Sequence, residues 1–168
     1  MSNVYIGLGA NLGDRRENLR SALRMMPQEV RIDAMSSLYE TEPVTPDGAE
    51  QPMYYNAAAR LETRMEAREL LDALQAIEGA LGRLADVPRW SPRPIDIDIL
   101  LFGDEIISEP GLTIPHPRMT KRAFVLVPLV DIAAEVVHPV EGRPVKELAE
   151  ETGSGGVRLV EGRGWADG

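Results

Sequence analysis

The sequence predicts an α+β sandwich, an antiparallel sheet with helices packed on its faces. Three observations carry that expectation. Two segments show apolar residues at helical spacing, short strand-like runs lie before, between and after them, and 168 residues contain neither an internal repeat nor a linker between two cores. The resulting order, β-α-β-β-α-β, is of the ferredoxin-like kind, with two helices on one sheet face. A single domain is expected over residues 1–160, followed by a weakly ordered tail at 161–168.

Val4 to Leu8 is an apolar run closed by Gly7, Gly9 and Gly13, which reads as a strand entering a turn. G-x-G-x-x-G would need glycine at position 12, where Leu12 stands, so these glycines are taken as turn formers, with Asn11 a candidate for left-handed backbone. Asp14 followed by Glu17 resembles a capping box, and Leu19, Ala22, Leu23 and Met26 recur at helical spacing, giving a helix over about Arg15 to Met26. Val30, Ile32 and Ala34 alternate before Ser36 to Tyr39, a second strand. EPVTPDGAEQP, with three prolines and a glycine, is a loop long enough to be a lid. Tyr54 to Leu61 has strand composition, and Thr63 with Glu66 forms a second capping box opening a helix from about Met65 to Leu81. Glu78 falls between Leu74 and Leu71 on that helix's apolar stripe, where a carboxylate requires a partner. LADVPRWSPRP is a second candidate lid. IDIDILLF, from Ile95 to Phe102, is the clearest strand, with Gly103 and Asp104 turning into Glu105 to Ser108. A compact block, LTIPHPRMTKRAFVLVPLVDIA, precedes a glycine-rich end with a last strand at Val157 to Val160.

The composition narrows the chemistry. Hydrophobic residues at 43% and charged residues at 27% are globular values, and a net charge of −9 opposes a non-specific grip on nucleic acid or an anionic membrane. No apolar run reaches membrane-span length and the opening MSNVYIGLG lacks a signal-peptide pattern, so a cytoplasmic protein is expected. With no Cys and only His116 and His138, thiolate chemistry is excluded and a multi-histidine zinc site has too few ligands.

Alternation in the IDIDI strand puts Asp96 and Asp98 on one face and Ile95, Ile97 and Ile99 on the other. Neighbouring like charges repel unless a cation neutralises them. Mg²⁺ suits that role, because it takes a few carboxylate oxygens and completes its shell with water and phosphate; two solvated aspartates paired with Arg are the alternative. Arg83, Arg89 and Arg93 precede the pair and Arg118, Lys121 and Arg122 follow it, either as surface charges or as a polyphosphate site. His116 is either a structural histidine or a phosphate donor. Tyr54 and Phe124 are either core aromatics or a sandwich for a flat heterocycle whose edge Asn56 would bind.

Taken in order, YIGLGANLGD at 5–14, SSLYETEPV at 36–44, QPMYYNAA at 51–58, RWSPRPIDIDILLFG at 89–103 and IPHPRMTKRAFVLVPL at 114–129 resemble the 6-hydroxymethyl-7,8-dihydropterin pyrophosphokinases of folate biosynthesis. The resemblance implies diphosphate transfer from ATP to the pterin hydroxymethyl group with release of AMP, in a ferredoxin-like fold with two lid loops. It implies two Mg²⁺ ions held by Asp96 and Asp98, with ATP as co-substrate. Arg83, Arg93 and Arg122 would contact phosphates and the transition state, Arg89 and Trp90 would close the second lid, and Gln75, Glu78, Ile99 and His116 match nucleotide-binding positions. Tyr54 and Phe124 would sandwich the pterin, Asn56 would bond its edge, and Thr41, Glu42, Pro43 and Val44 would wall the pocket. Asp96 would lie near both metal and pterin hydroxyl. No nucleic acid, membrane or obligate protein partner is implied. An Mg²⁺-dependent hydrolase would need no Tyr54, Asn56, Phe124 pocket, an RNA-binding module conflicts with the negative charge, and a scaffold leaves Glu78 and the aspartate pair unexplained.

Overall fold

The computed structural model describes residues 1–43, 51–82 and 94–167. β1 (Ser2–Ala10) leads into α1 (Arg15–Arg24), whose N-terminus is capped by the Asp14 carboxylate accepting the Glu17 N–H. β2 (Val30–Met35), β3 (Leu38–Thr41) and β4 (Tyr54–Thr63) follow, then α2 (Ala67–Ala80), β5 (Asp96–Phe102), β6 (Ile107–Glu109) and β7 (Leu112–Ile114). A 3-10 turn at Met119–Lys121 precedes α3 (Ala123–Ala133) and α4 (Val145–Thr152), and β8 (Val157–Glu161) precedes a 3-10 turn at Arg163–Ala166.

The main sheet runs β5-β1-β4-β3-β8, with β2 also on β4, and its pairings are antiparallel. The expected β-α-β-β-α-β core is present, but its second strand is broken in two. β4 is continuous, while across from it Ser36 and Ser37 leave the ladder. Their polar groups stay satisfied: Ser36 Oγ accepts the Ala58 N–H at 2.8 Å, and Ser37 N–H and Tyr39 O–H both donate to Asp131, at 3.0 and 2.7 Å. Burial, reinforced by the bond to Asp131, pushes the Tyr39 phenol up to about 12.

Alternation along β1 divides two cores. Val4, Ile6 and Leu8 face Leu19 and Leu23 of α1 and Leu70 and Leu74 of α2. Tyr5 faces the other side, where Leu126 and Leu129 of α3 and Val145 and Leu148 of α4 cover the sheet. Helices therefore pack on both faces of the sheet, α1 and α2 on one, as the ferredoxin-like order implies, and α3 and α4 on the other.

Several local expectations are corrected. Gly7 and Gly9 lie inside β1 instead of forming a turn, and Asn11 is not left-handed, since among the described residues positive φ occurs only at glycine. The α2 capping box is formed by Glu66 and Glu69; Thr63 ends β4 and its Oγ1 accepts the Met65 N–H. The turn after β5 leads to a strand that pairs with β7 and not back onto β5.

The end of the chain differs most. Residues 161–167, expected to be weakly ordered, include Trp165, which is fully buried, donates its indole N–H to Ser36 O at 2.9 Å and accepts at its carbonyl from Arg20 at 2.6 Å. An aromatic ring enclosed in the α1 core is worth more than the order of a short tail. Trp165→Ala should lower stability by about 3–5 kcal/mol in urea unfolding; a loss below about 1 kcal/mol would mean that the last turn is only draped on the fold.

Candidate active site

The site is built where β1 ends and β4 and β5 begin. Antiparallel register sets Gly9 opposite Asn56 on one side and Asp96 on the other, and sets Gly7 opposite Ala58 and Asp98. Residues directly opposite share a face, so these two rows lie on the side occupied further along by α3 and α4. Ile97 and Ile99 point into the α1/α2 core, as the alternation requires, while Asp96 is half-buried and Asp98 exposed.

A cavity of about 320 Å³ opens over these rows. It is lined by Thr41, Glu42, Tyr54 and Asn56 from the β3 and β4 segments, by Asp96 and Asp98 with Gly7 and Gly9 from the two rows, and by His116, Arg118, Arg122 and Phe124 from the segment that enters α3. Gly9 is required for space: a Cβ there would stand 2.6 Å from Asn56 Oδ1. The Asn56 side chain is buried and its amide N–H donates to Thr41 Oγ1, which turns the acceptor oxygen toward Gly9. Asn11, also buried, donates to Gln51 Oε1 at 3.3 Å and Pro52 O at 3.2 Å, tying the end of β1 to the segment before β4.

His116 is fixed at both ends. Its backbone N–H donates to Leu100 O at 2.9 Å, and its Nδ1 accepts the Arg118 N–H at 3.2 Å. A neutral ring with Nδ1 occupied as acceptor carries its proton on Nε2. Burial lowers the His116 pKa below its ordinary value; Asp98 opposes that shift and Arg122 adds to it, so the ring is neutral at pH 7. Burial also lowers the Arg122 guanidinium, aided by Arg118 and opposed by Asp98, from a starting value so high that the charge persists. Arg122 immediately precedes α3, and its guanidinium lies 5.3 Å from the Phe124 ring centroid.

Glu78 finds a partner. It is buried on α2, and its Oε2 accepts the Ile97 N–H at 2.9 Å. β5 ends the strand order among the described residues, and Glu78 takes a backbone donor from β5 at the residue between the two aspartates.

The structure thus gathers Thr41, Glu42, Tyr54, Asn56, Asp96, Asp98, His116, Arg122 and Phe124 around one cavity. Gln75 is exposed on α2, Ile99 is in the core of the opposite face, and Pro43 is half-buried outside the lining. Val44, Arg83, Arg89, Trp90 and Arg93 lie outside the described residues. Gly7, Gly9 and Gln51 line the cavity without having been assigned to it from sequence, and Arg118, one of the cations weighed for a polyphosphate site, lines it too. For the glycines a signal existed: two small residues spaced by two in an apolar strand mark one face that must stay open.

Residues 5–134 match the family model of the 7,8-dihydro-6-hydroxymethylpterin-pyrophosphokinases. The chain belongs to this family. Among relatives of known name, a 2-amino-4-hydroxy-6-hydroxymethyldihydropteridine pyrophosphokinase of Pseudomonas aeruginosa is 42% identical, over 96% of this chain and 99% of its own length. The Haemophilus influenzae protein of the same name is 44% identical over 90% of this chain and 93% of its own. Among solved structures, a Plasmodium falciparum HPPK-DHPS superposes with a TM-score of 0.72 at 18% identity, over 89% of this chain and 43% of that chain, a likeness of fold. In this pyrophosphokinase the site's geometry leans on Glu78. Glu78→Leu should deprive a buried N–H of its acceptor, at a cost of about 1–3 kcal/mol. Native-state hydrogen exchange should show Ile97 losing protection there and keeping it in Glu78→Gln, which retains an acceptor oxygen; equal protection in both variants would contradict the assignment.

Proposed function

We infer that the protein transfers a diphosphate from ATP to the hydroxymethyl group of 6-hydroxymethyl-7,8-dihydropterin, releasing AMP, in folate biosynthesis. Family membership supports the activity. The observation that supports assigning this cavity is its lining, in which a buried amide, two aromatic rings, two carboxylates and cationic groups meet around one space.

On the pterin side, the Asn56 amide would bind the ring edge, its oxygen accepting from ring N–H groups and its second N–H donating, the first being committed to Thr41. Tyr54 and Phe124 would hold the ring faces, and backbone of Thr41, Glu42, Pro43 and Val44 would complete the wall. On the phosphate side, Arg122 would supply charge and His116 a neutral Nε2–H donor. Arg83 and Arg93 would add charge at the transferring group, with Arg89 and Trp90 closing over ATP. Gln75, Glu78 and Ile99 would serve the nucleotide side, Glu78 by way of the β5 backbone it holds.

The donor set of Asp96 and Asp98 fits Mg²⁺. Among the described residues no third carboxylate or histidine joins them as a closed cage, and Mg²⁺ is commonly bound by one or two carboxylates with substrate phosphates and water filling the shell. Two such ions would neutralise phosphate charge as it shifts from the bond being broken. The protein's own part is alignment and exclusion of water, which would otherwise take the diphosphate. Asp96 shares a row with Gly9 and Asn56 and would lie near both the metal and the pterin hydroxyl, where it would accept the hydroxyl proton.

A net charge of −9 opposes a non-specific hold on nucleic acid or an anionic membrane, and the proposal extends to small-molecule substrates, no obligate protein partner and action in the cytoplasm. No helix among the described residues is long and apolar enough to cross a membrane.

AMP release from ATP is expected to require both the pterin and Mg²⁺. Asp98→Ala should abolish it while circular dichroism reports an intact fold, and normal turnover at saturating Mg²⁺ would remove the aspartate pair from the mechanism. Phe124→Ala should weaken the pterin by about 1–3 kcal/mol in calorimetry, with unchanged affinity speaking against the ring sandwich.

A further inference from the structure

The residues after Ala134 lie beyond the span of the family match, yet they reach the site. β8 pairs with the outer edge of β3, setting Arg158 opposite Glu40 and Val157 opposite Thr41. The backbone contact continues one step beyond β3, where the Glu42 N–H donates to Gly156 O at 3.1 Å. Thr41 and Glu42 both line the cavity, and Thr41 receives the Asn56 amide. Glu40, between them and the α1 side, is held by Arg15 at 3.0 Å and Arg158 at 2.5 Å. The wall is therefore fixed by backbone on one side and by charge on the other.

Gly156 occupies φ +77°, a region that strains other residues, and a Cβ on it would stand 3.2 Å from Glu42 Oε2. A side chain at 156 would displace the Glu42 carboxylate, and relaxation of the strained φ would turn the Gly156 carbonyl from the Glu42 N–H. We propose that Gly156 is a positioning residue acting through Glu42, and that β8 tunes affinity for the pterin without altering the nucleotide side. This rests on the pterin assignment made above.

The test uses the full chain with a non-hydrolysable ATP analogue and 6-hydroxymethyl-7,8-dihydropterin in calorimetry. Gly156→Ala should weaken the pterin about three- to tenfold and raise its KM, with ATP-analogue affinity and the KM for ATP unchanged. Gly155→Ala is the neighbouring control, because nothing lies within 4 Å of the Cβ it would add, and it should bind as the unmodified chain does. Gly156→Asn tolerates left-handed backbone better, so it keeps the fold while still crowding Glu42, and should weaken the pterin to a smaller extent. Unchanged pterin affinity in a folded Gly156→Ala or Gly156→Asn overturns the proposal alone. Parallel loss of ATP-analogue affinity overturns it too, by reducing Gly156 to a stability role. Failure of the unmodified chain to bind pterin overturns the functional assignment and this proposal together.

Discussion

Antiparallel pairing of β1 with β4 on one side and β5 on the other is the constraint from which the site follows. It aligns Asp96, Gly9 and Asn56 in one row and Asp98, Gly7 and Ala58 in the next. A slip of one residue would send the carboxylates into the α1/α2 core and the isoleucines into the cavity. Such a slip is resisted by everything buried on that side, from Val4 and Ile6 to Ile97 and Ile99. Hydrophobic burial on one face thus holds charged groups in place on the other.

How an acidic protein receives a polyanion is answered locally. A net charge of −9 repels phosphate at long range, but screening confines such fields to roughly 10 Å in ordinary salt. Within that distance the Arg122 guanidinium stands close enough to His116 to help hold its pKa down, and close enough to Asp98 for that carboxylate to oppose the lowering of its own pKa by burial and Arg118. Asp98 thus partly offsets the unfavourable pairing of Arg118 with Arg122.

The sequence makes the aspartate pair legible because strand period two is unambiguous in IDIDI, and it exposes Glu78 because a carboxylate on an apolar stripe is a misfit with few explanations. It hides α3 because AFVLVPLVDIA is apolar around its circumference and contains Pro128, leaving no amphipathic period to read. It hides α4 because eight residues in a glycine-rich stretch give too short a pattern. Gly9 is misread for a different reason. Glycine signals a turn when considered alone, and only the register opposite Asn56 shows that it makes room. Trp165 likewise gives no local sign that its cavity is formed by residues more than a hundred positions earlier.

That separation has a consequence for the order in which the molecule is made. β3 and the residues before the first loop are synthesised early, but their outer neighbour β8 and the indole that bonds Ser36 come from the end of the chain. A nascent chain halted after β5 would already carry Asp96 and Asp98 on a strand paired with β1, while His116, Arg122 and Phe124, and the β8 support of Thr41, were still to come. Contacts of such sequence separation form late and slow folding, so the aspartate rows can be paired during translation while the edge beside Thr41 and Glu42 waits for β8.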